Sequence, residues 1–178
     1  LDYQVNSTRQ FMRELNRLGL TSAIDAGGGY QNYPDDYQVI QQLADNDQLT
    51  VRIAYNLFTQ KPKEELADFQ QWTKTVTYGQ GTDYLRHNGA GEMLAFSAAD
   101  FEDFLEPRPD LPPNMEADLE PVVRHLVEHR WPFRLHATYD ESITRMLDVF
   151  EKVNRDIPFN LSLIHISEPT RRTPISYT

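Results

Sequence analysis

His136 closes the short run Trp131-Pro-Phe-Arg-Leu-His136 and stands just before a helix-start pattern. An imidazole there has the chemistry of a metal ligand or a general base, and equally that of a hydrogen-bonded residue at a helix start. Asp140 follows on the same segment. It can orient a water or take a proton, although a carboxylate beside a helix N-terminus is stabilised there in any case. A second pattern, His125-Leu-Val-Glu128-His129, matches H-x-x-E-H, in which two histidines one helical turn apart bind zinc and the glutamate activates water. Both histidines lie off the apolar stripe of their helix, as solvent-facing residues do, and Glu128 reads equally well as surface charge. Asp25 precedes Gly27-Gly28-Gly29. The glycines permit a tight turn or the close approach of a ligand, and Asp25 is either a polar wall of a pocket or a turn former. This stretch has neither the dinucleotide-binding glycine spacing nor the lysine of a P-loop. In Arg86-His-Asn-Gly-Ala-Gly-Glu92, side chains that bond or ligate sit among glycines, an irregular backbone more typical of a site loop than of a sheet core. No serine nucleophile elbow is present.

These residues need a scaffold, and hydrophobic periodicity supplies one. Phe133, Leu135 and Ala137 alternate with polar neighbours as in a strand, so His136 is placed at its carboxyl end, where α/β proteins build sites. Thr138 and Glu141 are spaced as a capping box for the helix whose stripe is Ile143, Met146, Leu147, Phe150 and Val153. Upstream, Ser7 and Gln10 form another capping-box pattern, with Phe11, Leu15 and Leu18 on one face and Gly19 as the stop. Residues 21–26 read as a buried strand and residues 49–58 as the next. Helices are expected through Tyr37, Ile40, Leu43 and Ala44, and over residues 63–76 with Leu66, Phe69, Trp72 and Val76 inward. Residues 83–96 read as a strand with an irregular turn, and the proline-rich 106–114 as a loop. Residues 115–130 form a helix with Leu119, Val122, Val123, Leu126 and Val127 on one face.

Composition narrows the function classes. The 178 residues include 17 basic and 27 acidic side chains, a formal charge of −10, which repels nucleic-acid phosphates and anionic membrane surfaces. No nucleic-acid and no membrane partner is therefore expected, the charge itself names no partner, and no feature sets an oligomeric state. Cysteine is absent, which removes disulfides, thiolate nucleophiles and cysteine-ligated metals and fits a reducing, cytoplasmic compartment. No apolar run has bilayer length, and LDYQVNSTRQ lacks the basic start and apolar segment of a signal peptide.

Strands alternating with helices imply parallel β/α units, of which four are legible. A closed barrel needs eight strands in about 250 residues. Four units are either a small open α/β binding module complete at 178 residues or a piece of a larger barrel. Residues 161–178, LSLIHISEPTRRTPISYT, continue neither a helical nor a strand pattern and resemble translated sequencing-adapter read-through. The expected division is thus 1–160, a partial barrel, and 161–178, a tail foreign to it, with the native protein continuing past Asn160.

RELNRLGLTSAIDAGGG (13–29) taken together with WPFRLHATYDESITRMLDVFEKV (131–153) resembles the amidohydrolase superfamily, in the branch related to N-substituted-formamide deformylases. The resemblance runs from Leu1 to about Asn160. It implies an α/β fold, part of a (β/α)8 TIM-like barrel, and a hydrolase that cleaves an amide or related C–N bond of a small molecule. It also implies one or two divalent metal ions, most often zinc, that polarise water and the scissile bond. Carried onto this chain, His136 is the single matching histidine ligand. The family's bridging ligand is a carboxylated lysine or a glutamate; residues 83–96 contain no lysine, so either Glu92 stands in or the site holds one metal ion. The other histidine ligands and the family's metal-binding aspartate are expected outside residues 1–160. Asp140 and Asp25 are the catalytic candidates. A fragment of this kind is expected to be inactive alone. The alternative enzyme is an H-x-x-E-H zinc peptidase.

Overall fold

Helix and strand alternate along the chain in the computed structural model, which describes residues 2–27, 32–100 and 105–159 and the backbone of residues 164–166. Helix α1 (Asp2–Arg17) leads to β1 (Ser22–Asp25), α2 (Gln38–Asp45), β2 (Arg52–Leu57), α3 (Glu65–Thr75) and β3 (Leu85–Ala90). Then follow α4 (Met115–Glu128), β4 (Phe133–Leu135), α5 (Asp140–Asp156) and β5 (Ile164–Ile166). All strand pairs are parallel, and the sheet order is β1-β2-β3-β4-β5. Each strand lies beside its neighbour in sequence and the order never reverses. A doubly wound sheet would reverse at a switch point. The chain is α/β, a curled parallel half-barrel of β/α units consistent with part of a TIM-like barrel.

Side chains alternate across the strands, so residues in register share a face. Asp25, Tyr55 and His87 are in register. They look toward the helices, where the core forms around Leu57, Phe69, Trp72, Leu119, Val122 and Phe133. The opposite face is open, and Ser22, Ile24, Arg52, Ala54 and Arg86 line a groove along it. Helices α3, α4 and α5 pack in sequence order over the core. Along the α4–α5 seam, Arg145 grips Glu116 (2.5 and 2.8 Å) and Arg124 bridges Glu120 (3.0 Å) and Asp156 (2.7 Å). No helix among the described residues is long and apolar enough to cross a membrane.

Four local expectations are revised. Ser7 lies inside α1 rather than at its start, because residues 2–6 contain no helix breaker; Thr8 bonds back to the Gln4 carbonyl (3.0 Å). The buried face of α1 is Val5 and Met12 with Leu15 packed beside them, while Phe11 and Leu18 are exposed. Strand β1 is an edge strand and not a buried one, and Ile24 is 54% exposed. Residues 164–166 do form a strand, paired parallel to β4. The rest of 161–178 lies outside the described residues.

Candidate active site

The carboxyl ends of the strands are tied together by the backbone that follows β3. The Gly91 amide donates to the Leu57 carbonyl (2.6 Å), and the Glu92 amide donates to the Ala26 carbonyl (2.8 Å). The Glu92 carbonyl then accepts from the His136 amide (2.8 Å). Residues 91 and 92 therefore touch the ends of β1, β2 and β4 at once. Such a crossing needs glycine: a Cβ on Gly91 would lie 2.6 Å from the Ala26 carbonyl oxygen, and one on Gly27 2.8 Å from that of Asn56. The buried Asn56 amide supports the same corner, donating to the carbonyls of Asn88 (3.0 Å) and Ala90 (3.1 Å). A register shift between Tyr55 and Leu57 absorbs one extra residue of β3, so that Ala90 aligns with Leu57 and Phe133.

This corner places the two expected metal ligands side by side. Phe133 and Leu135 are buried toward the helices, so period two turns Arg134 and His136 the other way. His136 Nδ1 lies 3.7 Å from Glu92 Oε2, and the two side chains are 39% and 32% exposed. That separation is too long for a hydrogen bond. It approaches the roughly 3.4 Å between two ligands that each bind one tetrahedral zinc at about 2.1 Å. An imidazole nitrogen and a carboxylate oxygen are also a donor pair suited to zinc and its neighbours. The residues present fit such an ion.

Asp25 goes elsewhere. One oxygen accepts from the Gly27 amide (3.0 Å), closing the turn in which Gly27 adopts φ +77°; the other accepts from the Tyr37 hydroxyl (3.4 Å). Tyr37 packs edge-on with Tyr33 and tilted against Tyr55. Burial first, and then the Asp25 charge, raise the Tyr37 pKa, and burial with Tyr33 pushes Tyr55 up to about 12. Both remain hydroxyl donors on the helix side of the sheet. Gly28 and Gly29 lie outside the described residues.

Asp140 is exposed in the first turn of α5. The capping box expected at this helix is replaced by a residue from another segment. Thr138 makes no cap bond. Instead the buried Asp100 carboxylate accepts from the amides of Thr138 (2.6 Å) and Tyr139 (3.1 Å). Glu141 turns outward to Arg108, with two contacts of 2.8 Å. Asp100 was missed because nothing local marks it; Asp and Glu are scattered through residues 100–110.

His125, Glu128 and His129 do gather, one ligand atom from each within 4.8 Å of the others. They sit in the last turn of α4, which precedes the start of β4, at the opposite end of the strand from His136. His87 points into the helix layer between Tyr55 (5.5 Å) and Trp131 (4.4 Å between ring centres). It is therefore excluded from the strand-end corner.

Comparison with curated proteins and with solved structures found no match. The amidohydrolase family model matches residues 1–168, most of the chain. Together with parallel β/α units that bring a histidine and a glutamate to their carboxyl ends, that match shows that this chain belongs to the amidohydrolase family, a family of hydrolases.

Proposed function

We propose that the corner over β3 and β4 forms part of a divalent-metal site, with His136 and Glu92 as ligands and zinc as the preferred ion. The observation that carries this reading is the 3.7 Å approach of His136 Nδ1 to Glu92 Oε2 at the strand ends. A divalent ion at such a site acts as a Lewis acid toward water and a carbonyl. The substrate class proposed is a small molecule with an amide or related C–N bond, as in the N-substituted-formamide branch. The chain's own residues hold this arrangement through backbone bonds rather than long side-chain reach: the His136 amide is pinned to Glu92, and Glu92 to Ala26. Asp140, exposed in the first turn of α5 just past His136, is the proposed proton acceptor. Asp25 shapes the Gly27 turn that abuts Gly91, a supporting role rather than a proton-transferring one.

Two side-chain ligands hold an ion weakly, so metal binding is measured in this chain and hydrolysis in a barrel carrying all eight strands. Zinc titration is expected to show a weak strand-end component that His136→Ala abolishes and Glu92→Gln reduces. In the complete barrel, His136→Ala should lower release of amine from small N-formyl and N-acyl compounds by about 100-fold or more. Unchanged zinc binding and unchanged hydrolysis in His136→Ala would remove this residue from the site. The peptidase reading is weaker, because its three residues lie together on one outer helix, where Glu128 joins the ligand cluster itself.

A further inference from the structure

The last turn of α4 carries a second set of ligands, and its hydrogen bonds determine which nitrogens are bare. The Thr73 hydroxyl on α3 donates to the Phe69 carbonyl (3.0 Å). Its one hydrogen is thereby used, so toward His125 Nε2, 2.9 Å away, it presents a lone pair. His125 Nε2 must then carry the proton, which leaves Nδ1 bare in the neutral ring. His129 Nδ1 lies 2.9 Å from the His125 carbonyl oxygen, which only accepts. His129 therefore donates from Nδ1 and keeps Nε2 bare. Each imidazole has one nitrogen anchored as a donor and the other free. Histidines that bind metals have this arrangement, because the anchored N–H fixes tautomer and ring orientation. The rings are 4.0 Å apart, and the Glu128 carboxylate completes a group whose ligand atoms lie within 4.8 Å of one another.

We propose that His125 Nδ1, His129 Nε2 and a Glu128 oxygen form a second, non-catalytic site for a borderline divalent cation of the zinc, nickel and copper class. Two imidazoles and one carboxylate favour these ions over magnesium and calcium, which prefer all-oxygen shells. The ligands lie on the last turn of α4 and its cap, with Glu128 and His129 exposed, so a fourth coordination position is left to solvent or to a group from another molecule. Binding fixes the end of α4 where it enters β4. Through Thr73 it also tightens the seam between α3 and α4. The site is independent of the strand-end pair, from which the length of β4 separates it.

The test is titration of the whole chain with zinc by calorimetry, and with cobalt by its visible absorption. One equivalent is expected that survives His136→Ala and Glu92→Gln and is lost in His129→Ala. His129 is exposed, so that variant leaves the fold intact, which circular dichroism verifies. Thr73→Val, which removes the anchor but no ligand, should weaken this equivalent by about 10- to 100-fold. Magnesium should not compete for it. If His129→Ala keeps the equivalent, or if Thr73→Val leaves its affinity unchanged, the proposed site is overturned. Loss of an equivalent in His136→Ala alone bears on the strand-end pair and not on this one.

Discussion

His87 shows how one buried side chain sets a pH limit on stability. It is fully buried between Tyr55 and Trp131, with Nδ1 against the Thr77 carbonyl (3.2 Å). Burial lowers its pKa from 6.5 to about 4. The folded state thus takes up this proton less readily than the unfolded chain. Its contribution is fully present above the unfolded value and is lost as pH falls from 6.5 through 4. The shift corresponds to about 3 kcal/mol when complete. His87→Gln removes the titration, so its urea midpoint should fall less than that of the wild type between neutral pH and about pH 5. Equal losses in the two proteins would exclude His87 as the cause. The ion pairs of Glu116 and Glu120, whose pKa values Arg145, Lys152 and Arg124 lower, fail only in more acidic solution.

Helix α5 begins where Asp100 lets it. The amides of Thr138 and Tyr139, between His136 and the first turn of α5, are received by this carboxylate, which so holds the strand-to-helix turn next to the candidate ligand. Asp100→Ala leaves two part-buried amides without that acceptor, at a cost of about 1–3 kcal/mol. Asp100→Asn retains one acceptor oxygen and should lose less. Urea unfolding of both variants checks the order; an alanine variant as stable as the wild type would show that water caps the turn equally well. The glycine pair Gly27 and Gly91 acts on the same corner by a different cause, because only bare Cα atoms allow the ends of β1 and β3 to meet over β2.

The whole molecule is a curled sheet with helices on one face. The opposite face carries Ile24, 54% exposed, on a strand at the edge of the sheet formed by the described residues. An exposed apolar edge is a template for pairing with another chain. The formal charge of −10 opposes association at low salt, and screening by added salt removes that opposition. Light scattering should therefore show concentration-dependent self-association that grows with salt. Ile24→Lys, which places a charge on the edge, should suppress it. Association that is unaffected by this substitution would locate the contact elsewhere.

The alternation of β/α units, the inward stripes of α3 and α4, and the position of His136 beyond β4 were all legible in the residues. They depend on spacing within one element, where side-chain direction repeats every 2 or about 3.6 residues. The amidohydrolase pattern was legible for the same reason, since its motifs lie on single strand-to-helix segments. What no local pattern contained is which segments meet. Glu92 reaches His136 only because β3 takes an extra residue and crosses the ends of β1 and β2. Asp25 turns to Tyr37 because strand register assigns it to the helix face, and Asp100 caps a helix distant in sequence. The H-x-x-E-H residues were visible as a motif, but the anchoring of His125 by Thr73 depends on α3 packing against α4. Register, bulges and helix packing are set by the summed burial of the whole core, so the tertiary structure alone decided them.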